Sequence, residues 1–112
     1  MTRPDTESYY KVIKIIDEKP DYTQRKIAQE LGYSLGKVNY LISSLVEKGV
    51  VKLQRFIKSK NKLGYRYILT PKGIKEKYRI TKEFLKRKIQ EYDLLQKEIQ
   101  EARETLLKMD NR

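Results

Sequence analysis

A run of positive side chains without any acidic residue is the part of this sequence best suited to bind a ligand by charge. Between Lys48 and Lys75 the chain contains nine of its 26 basic residues and neither Asp nor Glu. Basic side chains without acidic neighbours are available to phosphate groups. Residues 76–112 differ, because ten basic residues are mixed with eight acidic ones, as on a solvated helix face. The basic run is therefore the first candidate for contact with a polyanion, although it could also serve solubility alone.

The composition excludes most kinds of catalytic centre. The 112 residues include no Cys and no His, so thiolate metal sites, disulfides and a conventional catalytic triad or dyad are excluded. No glycine-rich phosphate loop or converging pair of carboxylates occurs. The net charge is 26 − 15 = +11. We expect a small cytoplasmic protein that is not an enzyme, needs no metal or cofactor, does not enter membranes and binds a polyanion.

The elements that must position these side chains begin with three short helices. Apolar residues repeat with helical spacing in residues 5–19, as at Val12 and Ile16. Thr23 can cap a second helix, and Ser34 can cap a third with the sequence LGKVNYLISSLVEKG. Gly32 suits the left-handed position that often follows a helix. Two short helices joined by about three residues fit a helix-turn-helix, although an ordinary pair of packed helices would have the same spacing.

The outward face of the third helix carries side chains suited to the edges of bases. It has no acidic residue, which would repel phosphate, and Asn39 can form a paired hydrogen bond with adenine while Lys37 can reach guanine. The start of the second helix is predicted to contact the DNA backbone through Thr23, Gln24 and Arg25. The predicted recognition residues of the third helix are Ser34, Gly36, Lys37, Asn39, Tyr40, Ser43 and Ser44.

A β-hairpin is predicted after Gly49. The segments VVKLQRFI and YRYILT are rich in β-branched and aromatic residues, and the polar segment KSKNKLG between them predicts a charged tip. A hairpin that directly follows a helix-turn-helix is a wing, which would lie along the DNA backbone or in the minor groove. The predicted wing contacts are Lys58, Ser59, Lys60, Asn61, Lys62 and Arg66.

The last third of the chain predicts one long helix. Thr70 followed by Pro71 is typical of a helix start, and neither Pro nor Gly occurs in residues 74–109. Apolar residues recur every seven positions on two interleaved rows, with Lys88 as the exception, which favours a coiled coil. Such a helix must project from a small domain and pair with a second copy, unless it breaks and folds back on residues 9–16. The predicted dimer contacts are Leu85, Tyr92, Leu95, Ile99, Ala102 and Leu106.

Together these elements predict an α+β fold that is mostly α. We expect a winged helix-turn-helix DNA-binding domain over residues 1–70, built from three helices and a hairpin, and a dimerisation helix over residues 71–112. Two such domains in a dimer would read half-sites on double-stranded DNA about 34–36 Å apart, or a multiple of that distance.

Two long segments resemble a known family. TQRKIAQELGYSLGKVNYLISSLVEKGVVKLQRF and KSKNKLGYRYILTPKGI are similar to the winged helix-turn-helix of MarR-type bacterial transcription regulators, and FLKRKIQEYDLLQKEI narrows the likeness to a short group linked to exopolysaccharide genes. The resemblance covers roughly residues 8–100 and implies a homodimeric regulator of such genes. The chain departs from the pattern at Asn61 and Lys62, near the place of an Asp-x-Arg-like element in the wing. It also has a short N-terminal part, so an effector pocket is not carried over and any small-molecule effector stays unknown.

Two other functions fit parts of the sequence. The long helix could dock a different protein, since Lys88 and Tyr92 make an imperfect row for self-pairing. The nine Tyr residues could instead stack on unpaired bases of RNA, although only Tyr40 lies on the predicted recognition face. The oligomeric state and a competition between duplex DNA and single-stranded RNA would separate these possibilities.

Overall fold

The structure is a computed structural model that describes residues 6–60 and 62–112. Three helices are followed by a two-stranded antiparallel hairpin and one long helix, which confirms the predicted winged helix-turn-helix fold. Asp5, the first residue of the predicted first helix, lies outside the described residues. The elements are α1 (Thr6–Glu18), α2 (Gln24–Leu31), α3 (Leu35–Glu47), β1 (Val51–Ser59), β2 (Lys62–Leu69) and α4 (Pro71–Asp110).

The core lies where α1, α2 and α3 meet, and the predicted apolar faces supply it. Its side chains are aliphatic, because the apolar positions of each short helix recur every three or four residues and face inward together. The first part of α4 adds Ile80, so the core includes a residue beyond position 70. The division of the chain into two domains at residue 70 stays a prediction. The buried core consists of Val12, Ile13, Ile16, Ile27, Ala28, Val38, Leu41, Ile42, Leu45, Val50, Val51 and Ile80.

The helix ends follow local sequence signals. The Thr23 hydroxyl accepts a hydrogen bond from the Lys26 backbone N–H, and the Ser34 hydroxyl accepts one from Lys37, both at 3.1 Å. Each cap satisfies a backbone donor that has no partner inside the helix. Gly32 takes the left-handed conformation, with φ of 69°, between α2 and α3. These caps fix the short turn that sets α3 against α2.

The hairpin is longer and more regular than predicted. Both strands extend into the segment KSKNKLG, which was expected to form the tip, and Ser59 pairs with Lys62. That part of the prediction is wrong because backbone pairing can continue through exposed polar residues that do not look like a strand. The pairing shifts between Ile57 and Ser59, so Lys58 lies at a bulge.

The start of α4 is attached directly to the turn between α3 and β1. The Thr70 hydroxyl accepts from the Gly73 backbone N–H at 3.0 Å and donates to the carbonyls of Gly49 and Val50. Lys72 Nζ donates to the Lys48 carbonyl at 2.8 Å. Gly73 packs so closely on Val50 that a Cβ atom there would lie 2.0 Å from the Val50 carbonyl oxygen. The direction of α4 is therefore fixed by the domain.

The first half of α4 packs on α1 and the second half projects. Phe84 stacks on Tyr10 with ring centroids 4.1 Å apart, and Lys77 pairs with Asp17 at 2.6 Å. From residue 89 to residue 112 every side chain is exposed. The alternative in which this helix breaks and folds back is wrong, since α4 is continuous over 40 residues and the molecule extends 77 Å along its longest axis.

Candidate nucleic-acid interface

The face of α3 that points away from the core carries most of the predicted recognition residues. Val38 and Leu41 are buried on the inner side, whereas the predicted contacts alternate with them on the outside. The only acidic residue of α3 is Glu47, the last residue of the helix. A phosphate group approaching the first three turns therefore meets no negative side chain from this helix. The predicted recognition residues that are exposed are Ser34, Gly36, Lys37, Asn39, Tyr40 and Ser43.

Asn39 is held by a hydrogen-bonded chain that crosses three elements. Its Nδ2 donates to Gln24 Oε1 at 3.2 Å, and Gln24 Nε2 donates to the Tyr67 hydroxyl at 3.0 Å. These bonds leave the Asn39 carboxamide oxygen and its second N–H without a hydrogen-bond partner among the described residues. That pair of groups matches the N6 and N7 edge of adenine. Gln24, predicted as a DNA-backbone contact, is a half-buried bridge from α3 to the hairpin.

Lys37 is oriented by the residue in the turn before its helix. Its Nζ lies 3.9 Å from the centroid of the Tyr33 ring, within the range of a cation–π contact. The contact draws the flexible side chain toward the N-terminal end of α3, where the helix dipole already favours an anion. This role of Tyr33 could not be predicted from the sequence, because the contact depends on how sharply α2 and α3 are joined.

Ser44 occupies a different position from the other predicted recognition residues. It is half-buried, and its hydroxyl accepts a hydrogen bond of 3.0 Å from the Tyr9 hydroxyl on α1. Its place in the helical repeat lies at the edge of the inner face. The expectation that Ser44 shares the exposed face is therefore wrong, and the residue instead links α3 to α1.

The hairpin carries its exposed cations at the far end. Lys58, Ser59, Lys60 and Lys62 are all exposed, while Asn61 lies outside the described residues. Arg66, predicted with them, lies nearer the base of the hairpin, and its Nε donates to Gln54 Oε1 at 3.0 Å. Successive residues of a strand point to opposite faces. Since Tyr67 points toward α2, Arg66 lies on the opposite face of the hairpin, as does Lys52, which pairs with Ile68.

The cations of α2, α3 and the hairpin are not neutralised within the described part of the chain. Ion pairs among residues 6–60 and 62–112 all join side chains of α1 and α4. The remaining positive side chains form a surface from the start of α2 across α3 to the hairpin. We call it the basic surface; its exposed members are Arg25, Lys26, Lys37, Arg55, Lys58, Lys60 and Lys62.

A second group of charges lies on the other side of the domain, near the base of α4. Arg79 Nε donates to both carboxylate oxygens of Glu76 at 3.2 Å. These hydrogen bonds, with the charges of Arg79, Lys48 and Lys72, hold the pKa of Glu76 below its ordinary value, although burial acts in the opposite direction. A groove of about 510 Å³ lies beside this group, between α1 and α4. The cations beside this groove, Lys48, Lys72 and Arg79, act on the carboxylate of Glu76, whereas those of the basic surface form no ion pair among the described residues.

Comparison with known proteins defines the class of this domain. Residues 8–52, which cover most of α1 and all of α2 and α3, match the family model described as winged helix-turn-helix DNA-binding. The match covers less than half of the chain. No curated protein matches the sequence. The chain has the fold of a winged helix-turn-helix domain, and its structural neighbours are MarR-family transcription regulators.

Several solved structures share the fold. FabT from Streptococcus pneumoniae, in complex with DNA, has a TM-score of 0.54 and 26% identity over 75% of this chain and 57% of its own. The transcriptional regulator SlyA has a TM-score of 0.55 and 26% identity over 69% of this chain and 52% of its own. ZitR from Lactococcus lactis has a TM-score of 0.64 and 22% identity over 91% of this chain and 78% of its own. The chain spans little more than half the length of FabT and SlyA.

No helix of the described residues is both long enough and apolar enough to cross a membrane. No cluster of acidic residues that could hold a metal ion occurs among residues 6–60 and 62–112.

Proposed function

We propose that this protein is a sequence-specific regulator of transcription that binds double-stranded DNA as a homodimer. The observation that carries the proposal is the acid-free outer face of α3, with Asn39 held by Gln24, beside a basic surface without ion pairs. The DNA complex of FabT, which shares the fold at 26% identity, supports the same ligand.

Two groups of residues would divide the work of binding. The outer face of α3 enters the major groove, where Lys37, Asn39, Tyr40 and Ser43 contact base edges. Lys58, Lys60 and Lys62 follow the phosphates or the minor groove, and Thr23 and Arg25 contact the backbone at the start of α2. Phosphate contacts supply affinity by releasing counterions, and base contacts supply the choice of sequence.

The homodimer would form through the projecting part of α4. Burial of apolar side chains is favourable, yet this helix exposes a row of them. The exposed residues of the row are Leu85, Tyr92, Leu95, Ile99, Ala102 and Leu106. A continuous apolar row on an isolated helix is typical of a surface that is covered by a partner. Pairing of two copies would present two α3 helices to one duplex, at half-sites about 34–36 Å apart or a multiple of that distance.

The genes under control are proposed from the resemblance alone. The segments similar to the short MarR-like group point to exopolysaccharide genes as the target. Genome-wide occupancy of the protein in its source cell tests this point, and binding sites spread without relation to such genes would contradict it.

A shift assay with purified protein tests DNA binding. We expect a duplex to compete far better than single-stranded RNA of the same sequence, because α3 requires a major groove of B-form width. If the dimer neutralises six to ten phosphates, affinity should fall about 10³–10⁵-fold between 50 and 200 mM salt. Preference for the RNA, or an affinity that salt does not change, would contradict the proposal.

Light scattering of the pure protein tests the dimer. We expect the mass of two chains at micromolar concentration. A single chain at that concentration would favour the other interpretation of α4, in which its exposed row docks a different protein.

A further inference from the structure

The charges of α4 are divided between its two halves. Residues 71–88 contain eight basic and two acidic residues, a net charge of 8 − 2 = +6, whereas residues 89–110 contain three and six, a net charge of 3 − 6 = −3. The positive half packs on the winged domain, and the negative half is exposed along its whole length. A helix with this pattern repels a second copy in parallel alignment and attracts one that runs in the opposite direction.

The apolar row of α4 also begins earlier than the sequence suggested. Ile74 and Tyr78 are 63% and 69% exposed, although they lie at the base of the helix beside the winged domain. They continue the seven-residue spacing of Leu85, Tyr92, Ile99 and Leu106 and of Leu95, Ala102 and Met109. We call this row the α4 seam. Its side chains from Ile74 to Met109 are exposed except for the half-buried Thr81 and Lys88, and the row spans both charged halves.

We propose that the α4 seam binds the α4 seam of a second copy in antiparallel orientation, centred near residue 90. This inference rests on the homodimer of the proposed function and specifies its geometry. In antiparallel pairs, a residue of one row faces a residue of the other row. The proposed register places opposite each other the pairs Ile74 and Leu106, Tyr78 and Ala102, Thr81 and Ile99, Leu85 and Leu95, and Lys88 and Tyr92.

The sizes and polarities of these pairs are complementary. Tyr78, a large side chain, faces the small Ala102, and the short Thr81 faces Ile99. Lys88 pairs with Glu7 and Glu91 of its own chain through its ammonium group, so its aliphatic stem is the part that faces the Tyr92 ring. In a parallel pair Lys88 would face Lys88 of the second copy in the middle of the interface. Lys88 therefore disfavours a parallel pair and is compatible with an antiparallel pair.

The proposed register also suits the binding of two half-sites. Ile80, the buried contact between α4 and the domain, would lie opposite residue 100 of the second copy, so the two Ile80 residues are 20 positions apart along the pair. At 1.5 Å per residue this separation is ~30 Å. One turn of B-form DNA spans about 34–36 Å. A parallel pair would instead place both domains at the same level of the coiled coil.

Single cysteines provide the test, since the chain contains none. In the antiparallel register residue 89 lies within ~3 Å, along the axis, of residue 89 in the second copy. Ile89→Cys should therefore form a disulfide-linked dimer on mild oxidation. Ala102→Cys should not, because the two residues 102 would be ~36 Å apart, whereas a parallel pair places them face to face. A mixture of Tyr78→Cys and Ala102→Cys should yield the mixed disulfide.

Sedimentation of each reduced variant separates the possible failures. A dimer in which Ala102→Cys links to itself, or in which neither single variant links, would overturn the antiparallel register and leave the homodimer standing. A monomer in sedimentation would overturn the register and the homodimer together, and duplex binding measured in parallel would show whether the DNA-binding function remains. The dimer should also weaken as salt rises, because opposite charges attract across it; a dimer strengthened by salt would contradict the charge argument.

Discussion

Asn39 on α3 and Gln24 at the start of α2 are joined by a side-chain hydrogen bond of 3.2 Å. Gln24 is itself held by Tyr67 in the second strand of the hairpin. The residue best suited to read a base is thus oriented by one side chain from each neighbouring element. Orientation of this kind lowers the entropy cost of forming a paired hydrogen bond with DNA.

Replacement of Asn39 should relax the choice of base at one position. We expect Asn39→Ala to lose about 1–3 kcal/mol of discrimination there, because the paired contact with adenine is removed. Gln24→Ala should lose part of the same discrimination, since Asn39 is no longer held. Competition with duplexes that carry single-base changes measures both effects. Tyr67→Phe is the control and should have the smallest effect, because it keeps the hydrogen bond between Asn39 and Gln24. Equal effects of the three variants would contradict this account.

Removal of a wing cation should weaken binding to every sequence alike. Lys60 is exposed and belongs to the basic surface, so Lys60→Ala removes a phosphate contact without changing base readout. We expect the slope of log affinity against log salt to fall in magnitude by about two, because each chain of the proposed dimer loses one phosphate contact. Titrations of matched and mismatched duplexes at several salt concentrations measure it. Lys97→Ala, on the projecting part of α4, should leave the slope unchanged, and a change of base preference in Lys60→Ala would refute this assignment.

A charge placed in the α4 seam should separate the two chains. Ile99→Asp buries a carboxylate in the interface, which is unfavourable, so we expect a monomer with much weaker binding to a two-site duplex. Leu107→Asp is the matched control, because Leu107 is more exposed than Ile99, 63% against 44%, and lies outside the seam. Sedimentation and shift assays compare the two. A dimer in Ile99→Asp, or a monomer in both variants, would show that the seam is wrongly placed.

Two glycines should respond to alanine in opposite ways. Gly73→Ala places a Cβ atom against the Val50 carbonyl oxygen, and we expect a loss of stability at or above the ~1–3 kcal/mol typical of overpacking. Gly36→Ala meets no atom within 4 Å on α3 and should raise stability by up to ~1 kcal/mol. The same Cβ atom lies on the face predicted to enter the groove, so duplex affinity should fall. Urea unfolding and shift assays measure the pair, and stronger DNA binding by Gly36→Ala would contradict the placement of this face.

Acid should destabilise the base of α4 through Glu76. Its pKa is lower in the folded protein than in the unfolded chain, chiefly because of the hydrogen bonds from Arg79. The resulting stabilisation is complete at pH values above the unfolded pKa of about 4.3 and is lost as the pH falls through the folded value. Glu76→Gln should therefore lower the urea midpoint at pH 6 and differ less from the parent at pH 3. Glu104→Gln, on the exposed half of α4, is the control; an equal deficit of Glu76→Gln at both pH values would contradict this account.

The sequence predicted those features that depend on neighbouring residues. The caps at Thr23 and Ser34, the glycine at the turn and the apolar faces of three helices are local signals, and the structure confirms them. Contacts between distant residues could not be predicted in the same way. Gln24 meets Tyr67 from 43 positions away, and Ser44 meets Tyr9 from 35 positions away. Both pairs depend on how the elements pack, which the spacing within one helix does not contain.

The extent of the hairpin and the exposed part of α4 could not be predicted from the sequence either. The hairpin extends through polar residues because its strands pair by their backbones, so side-chain character did not mark its limits. Likewise, the exposure of Ile74 and Tyr78 depends on the face of α4 that the domain covers. A heptad pattern alone does not show which of its residues the winged domain covers.

The unbroken run of α4 from its cap at Thr70 to Asp110 leaves no hinge between the winged domain and the projecting half of the helix. One residue inserted between Ile80 and Leu85 would rotate the domain by ~100° about the helix axis, whereas seven inserted residues would restore its direction and move it by about 10.5 Å. In the proposed dimer, the phase and pitch of this single helix would thus determine which spacings of DNA half-sites are accepted, and changes of whole heptads would give a simple route to different spacings.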